Sequence, residues 1–271
     1  NDLSGARYQP ASGTNITAAN IGDLEIAWAA GVEGSSTARG NVAVVDEVMF
    51  FGTPSGQINA VDIASGCLYW SYTAIREVRA APTVVEAPEL SQTLLVAADL
   101  SNRVYSLDAK TGLPVWHTDV DPNPWAVSTR APAVHDGKVF VPVSSMEVAG
   151  AGNPQHVCCT FRGNVAALDL HTGEKLWHTY VMEEAKPVGE NSAGNPILAP
   201  SGAPIWSSAT VDPGRERVYV GTGQNYSRPT SDTSDSVIGF DINTGSMDLV
   251  YQTTANDAFT MACSGRREHP N

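Results

Sequence analysis

The chain has 271 residues, and 42% of them are hydrophobic, which is enough to build a packed core. Its 29 acidic residues outnumber 16 basic ones, so the formal net charge is −13. A surface this acidic argues against nucleic acid or an anionic membrane as the main partner. No apolar run reaches the length of a membrane span, so we expect no membrane-spanning segment.

One local pattern occurs four times in chain order, within residues 56–70, 102–116, 163–177 and 236–250. Each copy is a strand, an Asp, two residues, a small polar residue and a Gly, followed four positions later by an apolar residue. The Asp is expected to cap backbone N–H groups of a tight turn in which the Gly takes a positive φ. Three copies end in Trp (Trp70, Trp116 and Trp177), which predicts packing between neighbouring sheets.

Such a unit cannot bury its apolar face alone, so repetition indicates a stacked or circular array. Tryptophans recur at spacings of about 40 to 60 residues, close to the length of a four-stranded propeller blade. We predict an all-β fold: one β-propeller domain over residues 1–271, with about five blade-like units, the first of which (Ile21 to Trp28) is incomplete. The ring is not expected to close within these residues.

Two insertions, at residues 144–162 and 182–206, are rich in Gly, Pro, Asn and Ala. Long loops on a rigid scaffold are common positions for functional sites. Among the four cysteines, Cys158 and Cys159 are adjacent, and either a strained vicinal disulfide or two buried thiols fits that spacing. No CxxCH motif is present, so no covalently attached haem is encoded.

The repeat A-x-D-x-x-T-G-x-x-x-W, the opening ARYQPASG and the segment VYVGTG resemble the pyrroloquinoline quinone (PQQ)-dependent alcohol dehydrogenases. Within that family, CCTFRGNVAALD and TANDAFTMAC are most similar to the polyvinyl alcohol dehydrogenase branch. The resemblance runs from residue 1 to residue 271 and implies an eight-bladed propeller that binds PQQ and Ca²⁺.

The resemblance also implies site residues. Trp206 matches the Trp that lies flat against the quinone, and Gln224, 18 positions later in GTGQNYS, stands where the family has an Asn metal ligand. Either Gln224 or its neighbour Asn225 is expected to be a ligand. A carboxylate ligand follows a Ser-Ser pair in the family, and VFVPVSSMEVAG provides Glu147 after Ser145.

The resemblance implies further contacts to the quinone from Arg79, Thr129 and Ser145. The guanidinium of Arg79 suits a planar carboxylate because it can make two parallel hydrogen bonds. Cys158 and Cys159 resemble a vicinal pair that lies against the cofactor, although in the alcohol dehydrogenases the pair is on an earlier blade. Cys263 matches a cysteine that pairs beyond the HPN segment, so we expect it to be unpaired here.

The family's catalytic base is an Asp shortly after the stretch that corresponds to residues 256–263, and we expect it beyond Asn271. No catalytic residue is therefore assigned, and a fragment of a longer enzyme is favoured over a shortened propeller completed by other subunits. The expected activity is oxidation of secondary or polymeric alcohols in the periplasm or outside the cell, with a cytochrome c as one possible electron acceptor. The alternative is a non-catalytic propeller that serves as a protein-interaction scaffold.

Overall fold

A computed structural model describes residues 11–32, 35, 37 and 39–263 of the chain. Nearly all regular structure in these residues is antiparallel β-sheet, in four sheets of four or five strands and one separate hairpin. Within the described part, no helix is long and apolar enough to cross a membrane.

The first two sheets each contain four strands that follow one another in sequence and in space. The first consists of β1 (Ala43–Val45), β2 (Val48–Gly52), β3 (Gln57–Asp62) and β4 (Leu68–Thr73). The second consists of β5 (Thr83–Ala87), β6 (Gln92–Ala98), β7 (Arg103–Asp108) and β8 (Pro114–Asp119).

The third sheet repeats this order and adds one short strand. It consists of β10 (Ala133–His135), β11 (Lys138–Ser145), β12 (Asn164–Asp169) and β13 (Lys175–Tyr180), with β9 (Ala126–Val127) paired to the end of β11. A hairpin of β14 (Lys186–Glu190) and β15 (Pro196–Ala199) precedes the fourth sheet. That sheet consists of β16 (Thr210–Asp212), β17 (Arg217–Gly221), β18 (Ser236–Asp241) and β19 (Met247–Gln252).

The remaining regular elements are short. One α-helix, α1 (Glu147–Gly150), follows β11, and 3₁₀ turns occupy Ala11–Gly13, Ile21–Asp23, Pro88–Leu90 and Met261–Cys263.

The third strand of each sheet is buried, whereas the fourth is mostly exposed. Four of six residues are buried in β7 and five of six in β12, while β8 buries only Trp116 and β13 only Trp177. One core cluster joins Leu94 and Val96 of the second sheet to Val139 and Val141 of the third. The core therefore lies between neighbouring sheets, as expected when each sheet cannot bury its face alone.

The four repeated turns have the predicted geometry. Asp241 Oδ1 accepts hydrogen bonds from Thr244 N at 2.8 Å and Asn243 N at 3.0 Å, and the same arrangement recurs at Asp62, Asp108 and Asp169. The turn glycines have φ between 70° and 74° (Gly66, Gly112, Gly173 and Gly245). This is the left-handed region, where glycine has no steric penalty.

Each tryptophan at the end of a repeat packs onto the turn of the following repeat. The indole N–H of Trp116 donates to Leu170 O at 2.8 Å, and its ring lies where a Cβ on Gly173 would be, at 2.6 Å. The pairs Trp28–Gly66, Trp70–Gly112 and Trp177–Gly245 make the same contact. The predicted packing of tryptophan between sheets is confirmed.

The all-β fold of four-stranded blades that do not close into a ring is confirmed for the described residues. Four of the predicted units form complete sheets. The incomplete unit contributes Trp28 in the packing position, but no strand is assigned between residues 11 and 32. That residues 1–271 form one domain stays a prediction.

Candidate functional site

The predicted site residues all lie at one end of the sheets. In an antiparallel four-stranded sheet, the start of the first strand, the end of the second and the start of the third share one edge. Arg79, Thr129 and Trp206 precede the first strands β5, β10 and β16, while Ser145 ends β11. The remaining residues, Glu147, Cys158, Cys159, Gln224 and Asn225, lie in the loops that follow the second strands β11 and β17.

Arg79 and Thr129 line one small cavity of about 30 Å³, together with Arg130 and Ser208. Arg79 forms an ion pair with Glu77: Nη2 donates to Oε2 at 3.1 Å, and Nε is 2.9 Å from Oε1. The Nε contact is too poorly aligned for a hydrogen bond, so this buried atom has no hydrogen-bond partner among the described residues. Thr129 Oγ1 is also buried without one. Because Arg79 is paired with Glu77, the Thr129 hydroxyl is the polar group of these two residues that is left without a partner on this cavity.

Trp206 is partly exposed and adjoins this cavity through its backbone. Arg130 Nε donates to Trp206 O at 2.7 Å, which joins the Trp to the segment that carries Thr129. On the other side, Ser144 Oγ donates to Ile205 O at 3.0 Å. The structure therefore brings Trp206, Thr129 and the end of β11 together.

Glu147 is fully buried in the first turn of α1. Its backbone N–H donates to Ser145 Oγ at 2.9 Å. Its carboxylate accepts from Thr160 N at 2.9 Å and Phe161 N at 2.7 Å, and from Thr160 Oγ1 at 3.2 Å. His156 Nε2 is 3.0 Å from Oε1. These four groups use the approximately four acceptor sites of a carboxylate, and none of them is a Lys or Arg.

Cys158 and Cys159 form a vicinal disulfide, which decides between the two alternatives that the spacing left open. Cys159 is fully buried, and the next two residues, Thr160 and Phe161, are the ones that donate to Glu147. Cys158 also lines a second cavity of about 420 Å³ with Tyr226 and Phe259. The disulfide thus lies next to the Glu147 carboxylate. Cys158 lines the larger cavity, and neither cysteine lines the small cavity of Arg79.

Gln224 and Asn225 follow β17 and differ in their surroundings. Asn225 is fully buried, and its Nδ2 donates to Ser234 Oγ at 2.5 Å and Asp257 O at 3.1 Å, while Oδ1 accepts from Ser231 N at 3.0 Å. Gln224 is partly exposed, and its side-chain amide makes no hydrogen bond to a described residue. In the part of the chain that the structure describes, no cluster of three or more His, Cys, Asp or Glu side chains could hold a metal ion.

Tyr226 connects the two loops and was not identified from the sequence. Burial, and then the charge of Glu147, raise the pKa of its phenol. Its ring centroid is 6.4 Å from that of Phe161, whose backbone N–H donates to the Glu147 carboxylate. Its hydroxyl oxygen is buried without a well-formed hydrogen bond, although Ser145 is close enough to influence it.

Sequence reasoning also missed Glu77 and His156, which hold Arg79 and Glu147 respectively. The available signals were weak: Glu77 is two residues before Arg79, and His156 is two residues before the cysteine pair. Asp257 accepts a hydrogen bond from Asn225 Nδ2 through its backbone oxygen. The predictions for the side chain of Cys263 and for the segment after it lie outside the described residues.

Comparison with known proteins matches residues 1–261 to the family model "Glucose/ethanol/alcohol dehydrogenase, beta-propeller domain", designated PQQ. Polyvinylalcohol dehydrogenase from Pseudomonas sp is 36% identical over 264 residues, which are 96% of this chain and 41% of that protein. Polyvinylalcohol dehydrogenase from Sphingopyxis sp. (strain 113P3) is also 36% identical, over 94% of this chain and 39% of the relative. The chain thus spans about two fifths of the length of these relatives.

Solved structures show the same fold at lower identity. Quinohemoprotein alcohol dehydrogenase from Comamonas testosteroni superposes with a TM-score of 0.71 at 23% identity, covering 92% of this chain and 40% of that one. BamB from Moraxella catarrhalis superposes with a TM-score of 0.53 at 20% identity, over 81% of this chain and 54% of that one. Given the family model that matches nearly its whole length and two relatives at 36% identity, the chain belongs to the PQQ-dependent alcohol dehydrogenases of the β-propeller fold.

Proposed function

We propose that the chain carries the quinone-binding part of a PQQ-dependent dehydrogenase that oxidises secondary or polymeric alcohols. The observation that carries this proposal is that Arg79 and Thr129 line one cavity beside Trp206, where the buried Thr129 hydroxyl has no hydrogen-bond partner among the described residues. Buried polar groups without partners cost free energy, so a site that leaves them open is suited to a polar ligand. When bound, PQQ supplies a two-electron oxidant for the alcohol.

The small cavity has room for about one water molecule, so Arg79 and Thr129 would form one wall of a larger quinone site, and their polar groups suit that ligand. Arg79 would bind one carboxylate of the quinone, because a guanidinium makes paired, charge-assisted hydrogen bonds to a planar anion. Glu77 keeps that guanidinium in place through their ion pair. Thr129 would donate its hydroxyl, and Ser145 would hold the Glu147 segment through Oγ. Trp206 would offer an aromatic face at the edge of the cavity.

We also propose a Ca²⁺ ion held by Glu147, Gln224 and Asn225. The oxygen types are those that calcium binds, and Glu147 is a buried carboxylate with no Lys or Arg among its partners. The fit is incomplete, because protein donors already use the acceptor sites of Glu147 and of Asn225 Oδ1. Calcium at Glu147 would replace at least one of these donors. No catalytic step is therefore assigned to the cation.

The alternative is a non-catalytic propeller that serves as a protein-interaction scaffold. The satisfied side chains of Glu147 and Asn225, and Gln224 in place of the family's Asn, favour this alternative. It predicts that the chain has no affinity for PQQ.

Titration of the chain with PQQ, with calcium present or chelated, separates the two functions through quenching of tryptophan fluorescence. Saturable binding at about micromolar concentration supports the dehydrogenase, and a requirement for calcium supports the metal assignment. Absence of binding under both conditions favours the scaffold. A periplasmic or secreted location and a cytochrome c as electron acceptor remain parts of the proposal that location and reduction assays would test.

A further inference from the structure

The segments that precede the first strands of the four sheets are equivalent, and the residue four positions before each first strand occupies the same place in each sheet. These residues are Arg39 before β1, Arg79 before β5, Thr129 before β10 and Trp206 before β16. The last three belong to the proposed quinone site, whereas Arg39 was not identified from the sequence. The repeat of the sheets therefore adds one arginine to the positions at this site.

Contacts between neighbouring segments hold these positions together. A Cβ on Gly40, next to Arg39, would be 2.9 Å from the backbone oxygen of Arg79, so the first and second segments touch. Arg130 Nε donates to Trp206 O at 2.7 Å, which joins the third segment to the fourth. Residues of all four segments line the same small cavity. The cavity is thus the point at which the four sheets present equivalent positions to one ligand.

Three arginines line this cavity, and only one of them is paired with an acidic side chain. Arg79 pairs with Glu77, while Arg39 and Arg130 form no ion pair with any residue that the structure describes. Within the described part of the chain, no Asp or Glu lines the cavity. Like charges around one small cavity repel one another. In a chain of net charge −13, this cationic cluster is suited to a ligand with several negative charges.

The two unpaired arginines have hydrogen-bond donors left for such a ligand. Arg130 uses its Nε on Trp206 O, and its two Nη groups make no hydrogen bond to a described residue. The guanidinium of Arg39 likewise makes none within the described ranges. Both side chains are exposed, so they lie on the open side of the cavity, which a larger ligand would reach. A pair of Nη groups matches the two oxygens of one carboxylate.

We propose that Arg39 and Arg130 bind carboxylate groups of the quinone in addition to Arg79, so that the site selects a ligand with more than one carboxylate. This inference rests on the proposed function and assigns two further residues to the same site. PQQ carries three carboxylate groups, and a single guanidinium would leave two of them without a cationic partner. Arg130 would also connect the bound carboxylate to the segment of Trp206 through its Nε.

Titration of the whole chain with PQQ and with its trimethyl ester, at low and at high ionic strength, tests this proposal without requiring turnover. The ester keeps the ring system and lacks the negative charges, and quenching of tryptophan fluorescence measures both affinities. Arg39→Gln and Arg130→Gln each remove one positive charge. The matched control is Arg215→Gln, which changes an arginine whose side chain is 75% exposed in the turn between β16 and β17, at the opposite end of the sheets.

We expect Arg39→Gln and Arg130→Gln each to bind PQQ about fivefold more weakly at low ionic strength, the loss of one exposed charge pair. Each variant should lose more affinity for PQQ than for the ester, and its PQQ affinity should depend less on salt than that of the parent chain. Arg215→Gln should bind both compounds like the parent chain.

Unchanged PQQ affinity in Arg39→Gln and Arg130→Gln would overturn the proposal. An equal loss of affinity for PQQ and for the ester would also overturn it, because that result assigns the arginines a structural role. If the parent chain binds PQQ and the two variants match it, only the assignment of these arginines fails. If the parent chain does not bind PQQ with calcium present or chelated, the proposed function fails, and this inference fails with it.

Discussion

Thr129 is a residue at which ligand binding and stability can be separated, because its buried hydroxyl has no hydrogen-bond partner among the described residues. Thr129→Val removes that hydroxyl and keeps the branched shape. Loss of one hydrogen bond to the quinone should weaken PQQ binding by about 3- to 10-fold. The melting temperature should stay equal or rise, since an unpaired buried polar group is removed. Equal PQQ affinity in the variant and the parent chain would contradict the assignment of Thr129.

His156 is one of two side-chain contacts of the Glu147 carboxylate, with Thr160 Oγ1, and a substitution can remove it without changing a backbone donor. Calcium and His156 compete for Oε1 if the metal proposal is right. His156→Ala should therefore bind Ca²⁺ more tightly than the parent chain, by about the free energy of one charge-assisted hydrogen bond, or roughly tenfold. Calorimetry with calcium alone measures this, with His117→Ala on the exposed side of β8 as control. An unchanged or weaker calcium affinity in His156→Ala would remove Glu147 from the ligand set.

At the scale of elements, the contribution of the tryptophan–turn contact to stability can be measured by comparing two glycines. Gly112 is in the turn between the third and fourth strands of its sheet, and Gly137 is in a turn between first and second strands. Both Gly112 and Gly137 have positive φ, of 72° and 67°. A Cβ at Gly112 would be 2.6 Å from the Trp70 ring, whereas a Cβ at Gly137 would meet nothing within 4 Å. Gly137→Ala should cost about 1–2 kcal/mol for the left-handed conformation alone, and Gly112→Ala should cost a further 1–3 kcal/mol or so for overpacking.

Urea unfolding of both variants measures the difference. If Gly112→Ala and Gly137→Ala lose the same stability, the contact between tryptophan and the turn contributes little beyond the conformation of the glycine. Tryptophan fluorescence gives a second readout, since displacement of the Trp70 indole by a Cβ should change its emission only in Gly112→Ala.

The sequence predicted the local elements well because their causes are local. The Asp and Gly of each turn are four positions apart, so one short pattern determines both the cap and the positive φ. Arg79, Thr129 and Trp206 were implied by the family resemblance alone, and the structure shows that each precedes the first strand of a sheet. The roles of Tyr226 and His156 were not predictable in this way. Each depends on how a loop packs against Glu147, over 79 residues in one case and nine in the other, and no periodic pattern records such contacts.

At the scale of the whole molecule, the repeated turns should make the fold sensitive to acid. The Ser65 hydroxyl bound to Asp62, and the Thr244 backbone N–H bound to Asp241, lower the pKa of these carboxyls below the usual 3.8. A lowered pKa in the folded state stabilises the fold above the ordinary pKa. That contribution is lost as the pH falls below about 3.8 and passes through the lower, folded-state pKa.

The melting temperature should therefore fall steeply below about pH 4. Asp241→Asn should be less stable than the parent chain at neutral pH and should show a shallower decline in acid, because one of the titrating groups is absent. Glu184→Gln, at an exposed loop position, should leave the profile unchanged. Parallel profiles for Asp241→Asn and the parent chain would show that the turn carboxylates do not determine acid stability.

The contact between each tryptophan and the following turn has a direction: in the four described sheets, the indole of one sheet contacts the turn glycine of the next sheet along the chain. Sheets coupled in this way behave as a one-dimensional series with nearest-neighbour terms. A substitution that disrupts one turn would destabilise the sheet that contains it and the contact with the tryptophan of the preceding sheet. More distant sheets would stay folded. The array would then lose its order one interface at a time, so the second and third sheets, which begin just after Arg79 and Thr129, would stay folded after the first sheet has melted.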